Sequence, residues 1–425
     1  MHNKKTILKK QFFLILYMYL GYAGFIFMKT SILVISPDLV ADNLITITQW
    51  GIILGWGALG AIIGKILSGA VADRFGGKWT FTIGILLTAI SVVLFGMSSI
   101  FFAFNLIYFS ALFAKSSGWP SIAKLIGNWY SPSQYGLIWG ILSTSSRVGA
   151  IIALSSLGYL LYILTWRQVL WFAFLIGIVL FGISFFFIKE KPSTLIKVNG
   201  SCPVEHTNHH LHDTSLKQAL LVFITNKRVW LISVSMMGLT IMMDILNFLP
   251  IYLSQNLKIS TVNAATFSTA FPVGSLISVL LGGYFIDKIS SKSVTKLVGL
   301  SLTLAVVSLV VLIIMPEFGL SASGNKYVTV GALFIFGFMV SPSYYLPMSI
   351  FSIKFGGPHS GILIALLDVV GFVATMIFSF IGGALIDQNY GWVKFFILLI
   401  TISIISLLVT VWFLHGEAKV TENKQ

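Results

Sequence analysis

Apolar runs of membrane length recur along the whole chain. Each run holds about 20 predominantly apolar residues, the length that crosses a bilayer as a helix, and short polar turns separate the runs. We predict twelve spans, six on each side of the longest polar stretch, residues 189–228. The predicted spans cover about residues 12–36, 48–72, 79–99, 101–126, 137–163, 168–188, 229–254, 264–286, 295–315, 327–350, 361–386 and 392–414.

The fold class follows from the length of these runs. Inside a bilayer only helices and closed barrels pair every backbone polar group, and runs of about 20 residues fit helices. We therefore predict an all-α polytopic membrane protein with two pseudo-symmetric six-helix bundles, residues 1–188 and 229–425, joined by a polar linker, residues 189–228, that is not a folded domain. The composition of the 425 residues, 57% hydrophobic and 9% charged, has too few charges to cover a soluble protein.

The formal net charge of +14 bears on topology and partners. Most bases flank apolar runs, where they set orientation and meet lipid headgroups, so we expect membrane lipids and no nucleic acid as partners. One predicted side carries Lys4, Lys5, Lys9, Lys10, Arg74, Lys78, Lys288, Lys292, Lys296 and Lys354, and the other carries Arg167, Lys258, Lys326 and Lys394. The positive-inside rule places both termini and the linker in the cytoplasm, in a plasma (inner) membrane.

The sequence indicates no cofactor and no enzyme. Cys202 is the one cysteine, which excludes an intrachain disulfide and a multi-cysteine metal site. The nearby His206, His209, His210 and His212 favour a polar loop, with a metal site as the alternative. We find no Gly-x-x-x-x-Gly-Lys-Ser/Thr segment for an ATPase and no Ser/His/Asp set at a span end, so active movement would draw on a gradient.

A turn motif ends the second predicted span and recurs in the second half. Residues 69–78 read Gly-x-x-x-Asp-Arg-x-Gly-Gly-Lys, and residues 283–288, at the end of the eighth span, read Gly-x-x-x-Asp-Lys. On these residues the chain resembles the major facilitator superfamily, whose signature turn follows span two and has a degenerate copy in the second half. The resemblance covers nearly the full length. It implies secondary transport by alternating access, with a substrate site near the bilayer midplane between the halves.

Three segments resemble one group within that superfamily, the organophosphate antiporters, which include glycerol-3-phosphate and hexose-phosphate carriers. Gly-Tyr-Ala at 21–23, followed by Lys29, is similar to the span-one segment in which the group places a phosphate-binding arginine. Lys65 falls where the group has a span-two lysine. Gly-Trp-Pro at 118–120, with Asn-Trp-Tyr at 128–130, resembles its span four. The resemblance implies an anionic substrate.

The chain departs from that group at the binding pair. The group has one base in each half, whereas Met242 stands where the second arginine is expected and Asp244 lies nearby. In span one Lys29 replaces arginine, and in span five Arg147, beside Ser146, stands where a histidine is expected. We therefore do not expect a plain copy of a glycerol phosphate carrier.

Six ionisable residues lie well inside predicted spans, where such residues normally face a bundle interior or a water-filled cavity. The bases fall in the first half and the acids in the second: Lys29, Lys65, Lys115, Arg147, Asp244 and Asp368. We predict that Lys29 and Arg147 bind an anion, because converging cations at low dielectric attract one. The alternative is a permanent salt bridge to Asp244 or Asp368.

The other substrate candidates each have an alternative. Lys65 either serves substrate access or snorkels to the interface, and Lys115 either lines the cavity or pairs with a neighbour. Tyr22 is a candidate to stack on or hydrogen-bond the substrate. Ordinary packing is the favoured role of Tyr22, as it is of Trp119, Tyr344 and Tyr345.

Asp244 and Asp368 are the predicted proton-coupling residues. A buried carboxylate near a cation exchanges a proton when substrate occupies that cation, which links the two binding events. The alternative is a structural hydrogen bond, for example between Asp244 and Asn247.

The charged residues of the two turn motifs are the predicted gate: Asp73, Arg74, Lys78, Asp287 and Lys288. A carboxylate at a helix end can cap the N-terminus of a facing helix and pair with an arginine. Such a latch would hold the outward-open state. The alternative is a tight turn with solvated charges.

Together these residues predict a monomeric secondary transporter of a small organic anion, working by proton-coupled symport or by anion exchange. Its partners would be the substrate, protons or a counter-anion, and lipids. One alternative is an exporter of drugs or chelator-type metabolites, which the four intramembrane bases disfavour. The other is a transporter-like ligand sensor, which the missing second-half arginine keeps open.

Overall fold

The computed structural model describes residues 2–131, 134–191, 214–285, 291–314 and 321–422. Every regular element in these ranges is helical, which confirms the predicted all-α class. The first helices are α1 (His2–Val34), α2 (Ser36–Ala41), α3 (Ile47–Phe75), α4 (Gly77–Met97), α5 (Phe101–Lys115), α6 (Gly118–Trp129), α7 (Tyr135–Ile152), α8 (Gly158–Leu160) and α9 (Trp166–Phe187). They are followed by α10 (Leu216–Thr225), α11 (Lys227–Asp244), α12 (Leu249–Asn256), α13 (Thr261–Ser268), α14 (Ala270–Phe285), α15 (Ser291–Ile314), α16 (Ala322–Gly356), α17 (Ser360–Ile386) and α18 (Gly391–Glu422).

Eleven stretches of the described residues are helical, long and apolar enough to cross a membrane. They coincide with all of the predicted spans except the fourth, residues 101–126, which is divided between α5 and α6. The chain is therefore an integral, multi-pass membrane protein.

Three predicted spans are interrupted just before a proline. Proline lacks an amide hydrogen, and its ring clashes with the carbonyl four residues earlier, so the helix breaks or restarts there. Pro120 is the third residue of α6, Pro250 the second of α12 and Pro272 the third of α14. The predicted spans 101–126, 229–254 and 264–286 therefore each consist of two successive helices and a short break. Helix α16, in contrast, continues through Pro342 and Pro347.

Several helices begin at a reciprocal cap that their sequence encodes. A Ser or Thr side chain accepts a hydrogen bond from the backbone amide three residues on, and the side-chain oxygen of a Gln there accepts one from the backbone amide of the cap residue. These capping boxes start α3, α9 and α10, with the pairs Thr46 and Gln49, Thr165 and Gln168, and Ser215 and Gln218.

The chain forms two compact units. The first comprises Met1–Val204 and Ser260–Thr269, and the second Glu205–Ile259 and Ala270–Gln425. In the first unit α3 and α5 meet at glycines, since a Cβ added to Gly60 would lie 2.2 Å from the backbone oxygen of Phe109. Such small residues let membrane helices approach closely.

In the second unit, Arg228 ties the start of α11 to the end of α18. Its Nε donates to the Glu417 carboxylate over 2.6 Å, and its guanidinium lies 5.5 Å from the ring of Phe351 and 5.4 Å from that of Phe355. The sequence placed Arg228 in the linker 189–228, but α11 begins at Lys227 and α10 lies inside the predicted linker. Because the capped helix α10 forms there, this polar stretch is partly helical.

Candidate functional site

Arg147 is a buried base on α7, in the first unit. Only 5% of the residue is exposed, although it lies within a predicted membrane span. Its Nη1 donates to the Ser143 carbonyl and to the Ser146 hydroxyl, each over 2.8 Å. These contacts fix the guanidinium along its own helix, since both oxygens lie within the preceding turn.

The packing of α1 against α7 shows which residue of α1 lies level with Arg147. The Tyr19 hydroxyl lies 3.0 Å from that of Thr144, and a Cβ added to Gly149 would lie 2.4 Å from the Ala23 carbonyl oxygen. Residue numbers rise together along the two helices, so they run parallel and Arg147 is level with residue 22. Lys29 is two turns further along α1, about 10 Å at 1.5 Å per residue. The two predicted anion-binding bases therefore lie at different depths.

Tyr22, level with Arg147 along α1, lies in an aromatic row. Its ring centre is 4.5 Å from that of Trp119 on α6, and Trp119 is 5.1 Å from Trp139 on α7. Tyr22 is 5% exposed, and a Cβ on Gly118 would approach its ring to 2.8 Å. This geometry gives Tyr22 and Trp119 a packing role, and it leaves a substrate role of Tyr22 as a prediction.

Lys65 and Lys115 lie at the break in the fourth span. Lys115 ends α5, and Ser116 follows it in the break. The Ser116 hydroxyl donates to the Ala61 carbonyl over 3.2 Å, and the Ser68 hydroxyl donates to the Ser116 carbonyl over 3.3 Å. Lys65 shares the α3 face of those two partners, because residues three and four apart are neighbours on a helix. The structure thus brings both lysines to one irregular stretch of backbone.

The two predicted proton-coupling acids both lie within electrostatic range of one tyrosine of the second unit. Asp244 is the last residue of α11, before a 3-10 turn at Ile245–Asn247, and Asp368 is on α17. The Tyr344 hydroxyl on α16 is hydrogen-bonded to Thr240 and interacts electrostatically with both carboxylates. The sequence favoured simple packing for Tyr344, because nothing along the chain reveals that three helices meet there.

The turn between α3 and α4 is closed by an acid that the sequence did not single out. The Glu190 carboxylate, just after α9, accepts hydrogen bonds from the backbone amides of Gly77, over 3.0 Å, and Lys78, over 2.7 Å. Asn128 adds a third donor over 3.0 Å. Gly76 has a φ of +89°, and a Cβ there would lie 2.9 Å from the Glu190 carboxyl carbon. Both its backbone conformation and the bound carboxylate therefore require glycine.

The predicted gate residues of the first turn motif contact Lys124 and neighbouring aromatic rings. Asp73 forms a 2.8 Å salt bridge with Lys124 of α6. Arg74 lies over the Phe75 ring at 5.5 Å, and Lys78 lies 5.6 Å from the ring centre of Trp79. In the first unit, the carboxylate seen at the N-terminus of α4 is thus that of Glu190 and not that of Asp73. The second motif, with Asp287 and Lys288, lies outside the described residues, as do Cys202 and the linker histidines.

Comparison with known proteins agrees with this architecture. The chain is 27% identical over 414 residues to a probable hexose phosphate transport protein of Chlamydia trachomatis, covering 92% of this chain and 88% of that protein. It is 26% identical over 283 residues to the membrane sensor protein UhpC of Salmonella typhimurium, covering 64% of this chain and 63% of UhpC. These relatives match the organophosphate antiporter group that the motifs indicate.

A solved structure shares the fold. The crystal structure of a bacterial homolog of the human lysosomal transporter Spinster superposes with a TM-score of 0.74, at 16% identity, covering 96% of this chain and 97% of that one. Relatives and fold are those of membrane transport proteins and not of enzymes. The family profile described as Major Facilitator Superfamily matches residues 18–366. The chain therefore belongs to the major facilitator superfamily.

Proposed function

We propose that this protein is a secondary active transporter of a small organic anion of the phosphorylated-sugar class, working by alternating access. The observation that carries the proposal is the buried guanidinium of Arg147, held by Ser143 and Ser146. A fixed planar cation inside a membrane helix suits the paired oxygens of a phosphate or carboxylate. Similarity to a hexose phosphate transport protein supports the substrate class.

In this proposal Lys29 supplies the second contact. Lys29 lies about two helical turns beyond Arg147 along α1 and carries a compact charge, so a substrate with oxygens at both ends can meet both bases. Lys65 and Lys115, at the break of the fourth span, line the path of the anion. Tyr22 forms the wall next to Arg147, where its ring packs on Trp119.

Asp244 and Asp368 carry the coupling proton in the symport form of this proposal. Tyr344 supports the assignment, because its hydroxyl interacts electrostatically with both acids and a tyrosine hydroxyl can take part in proton transfer. We expect Asp244→Asn and Asp368→Asn to reduce proton-driven accumulation. If both variants accumulate substrate as the wild type does, the coupling assignment is wrong.

Uptake by proteoliposomes tests the anion site. We expect saturable uptake of a labelled hexose phosphate that Lys29→Ala and Arg147→Ala each abolish. Arg167→Ala is the control, because that base stacks on Trp166 at 4.0 Å and has no part in the proposed site. Retained uptake in both site variants would exclude the assignment. Loading the vesicles with inorganic phosphate, or imposing a proton gradient, separates exchange from symport.

A ligand sensor is the second candidate, since the chain is similar to UhpC. Met242, which is fully buried, stands where the resemblance leads one to expect the second arginine. A sensor would bind hexose phosphate without accumulating it, so binding and uptake measured on the same preparation decide between the two. An exporter of drugs or chelator-type metabolites would instead accumulate its substrate in inverted vesicles.

We propose a plasma (inner) membrane location, a monomeric state and cytoplasmic termini, on the distribution of bases. Cys202 offers a direct test, because it is the one cysteine and falls in the predicted cytoplasmic linker. A membrane-impermeant maleimide should label it in permeabilised cells and leave it unlabelled in intact cells. Labelling in intact cells would reverse the orientation. Size measurement of the purified protein tests the monomer.

A further inference from the structure

A long apolar groove runs along the first unit between α3 and α4. Its volume is about 550 Å³, within the range of about 300–1,000 Å³ that is usual for small-molecule sites. Leu67, Val71 and Phe75 of α3 form one wall, and Trp79, Ile83 and Leu87 of α4 form the other. The floor lies at the end of α5 and the break in the fourth span, where Ala114 and Ser117 are small.

The walls of the groove are open to the surroundings of the helices. Val71 is 40% exposed, Phe75 59% and Trp79 47%. The lining from Gly64 to Phe75 follows α3 for about 16 Å at 1.5 Å per residue, which accommodates much of one acyl chain. In a membrane protein an open apolar groove of this length faces the lipid.

The polar atoms within the groove are already satisfied. The Ser68 hydroxyl donates to the Ser116 carbonyl, the Thr80 hydroxyl to the Gly76 carbonyl and the Ser117 hydroxyl to the Ala114 carbonyl. These hydroxyls have no hydrogen left to donate to a polar ligand, because each already donates to a backbone carbonyl oxygen. The groove itself therefore suits a hydrocarbon chain.

The end of the groove at the α3–α4 turn is basic. Arg74 lies over Phe75, and Lys78 lies 5.6 Å from Trp79, so each base is stacked on an aromatic ring that lines the groove. The two acids near this turn are engaged: Asp73 by Lys124, and Glu190 by the amides of Gly77 and Lys78. Two cations at the mouth of an apolar groove complement an acyl chain that carries an anionic headgroup.

We infer that this groove binds an anionic phospholipid of the leaflet on the side of the α3–α4 turn, with one acyl chain between α3 and α4 and the phosphate at Arg74 and Lys78. Bound there, the lipid bridges the second and third spans at the turn that carries the gate residues. Its occupancy would couple lipid composition to the movement of this turn.

Native mass spectrometry of the purified full-length protein tests this inference. Phosphatidylglycerol is compared with phosphatidylcholine of identical acyl chains. We expect tighter binding of phosphatidylglycerol, by about fivefold for each base that contacts the headgroup. Lys78→Gln should remove about fivefold of that preference. Arg167→Gln, a base stacked on Trp166 away from the groove, should leave the preference unchanged.

Variants that fill the groove provide a second test of the inference. Val71→Trp and Ile83→Trp place an indole between the walls and should each remove the tight lipid, whereas Val179→Trp should not, because Val179 is 57% exposed on α9 and does not line the groove. Tight binding that survives both groove variants would overturn the inference, as would equal binding of the two lipids. Displacement of the lipid by soluble glycerol phosphate would also overturn it, since the headgroup would then occupy a transport site. So would a dimer that Val71→Trp abolishes, because a second copy would then cover the groove.

Discussion

The Glu190 carboxylate accepts a 2.7 Å hydrogen bond from the backbone amide of Lys78, which lies 112 residues earlier in the sequence. The bond places a negative charge at the N-terminus of α4, where the first amides of a helix lack partners and the helix dipole is positive. It fastens the end of the sixth predicted span to the turn between the second and third. The turn between α3 and α4, which carries the superfamily motif, is thus anchored by a residue outside the motif.

Neutralising this acid should loosen the turn. We expect Glu190→Gln to lower the free energy of unfolding by about 1–2 kcal/mol, because a charge-assisted cap is lost while the shape of the side chain is kept. Thermal or chemical unfolding of the purified protein measures the change. Lys191→Gln, at the neighbouring exposed position, is the control and should change nothing. An unchanged stability of Glu190→Gln would contradict the capping role.

Replacing Asp73 should change the stability of the protein less than replacing Glu190 does. The Asp73 side chain is 75% exposed, and its salt bridge with Lys124 is solvated, so Asp73→Asn should cost no more than about 1 kcal/mol. If Asp73 is a gate residue, the variant should instead shift the balance between outward-open and inward-open states. Accessibility of cysteines introduced near each mouth measures that balance. A large loss of stability would show that Asp73 is structural.

Two glycines on α7 test how Arg147 is positioned. A Cβ at Gly149 would lie 2.4 Å from the backbone oxygen of Ala23, whereas a Cβ at Gly140 meets nothing within 4 Å. We expect Gly149→Ala to cost about 1–3 kcal/mol and to lower uptake, because α7 must move away from α1. Gly140→Ala should be neutral or stabilising by up to about 1 kcal/mol. Equal behaviour of the two variants would exclude this register of α1 and α7.

The hydroxyl of Tyr344 is the sharpest test of coupling. Tyr344→Phe keeps the ring and removes the hydroxyl. That hydroxyl is hydrogen-bonded to Thr240 and interacts electrostatically with Asp244 and Asp368. We expect exchange of unlabelled for labelled substrate to persist while proton-driven accumulation falls about tenfold, the equivalent of one hydrogen bond of about 1.4 kcal/mol. Tyr327→Phe on the same helix, at a residue that is 75% exposed, is the control. Equal loss of exchange and accumulation would assign Tyr344 to substrate binding or folding instead.

Replacing Arg228 with lysine should destabilise the second unit. Arg228→Lys keeps the charge but loses the fork that meets Glu417 and the planar contact with Phe351 and Phe355. We expect a loss of about 1–2 kcal/mol in the unfolding free energy, while the reverse exchange next to it, Lys227→Arg, is tolerated. A double-mutant cycle with Glu417→Gln separates the ion pair from the ring contacts.

The sequence by itself determined the parts of this protein that depend on local physics. Membrane-length apolar runs predicted the helical spans, since hydrocarbon leaves the backbone no partner but its own. The turn motif at 69–78 and the intramembrane bases pointed to the superfamily and to an anion before any contact was known. Hydropathy alone reads a run such as 101–126 as one helix. A proline by itself does not mark a break, because α16 continues through Pro342 and Pro347.

Tertiary structure decided which distant residues meet. Glu190 carries no local sign that it will cap α4, and Tyr344 reads as one aromatic among many until α11, α16 and α17 bring two acids within electrostatic range of it. The register of α1 on α7 likewise separated Lys29 from Arg147 in depth, because a glycine contact sets where two helices touch. The hydropathy of consecutive residues determines where the spans lie. Which side chains of different helices meet depends on how the helices pack.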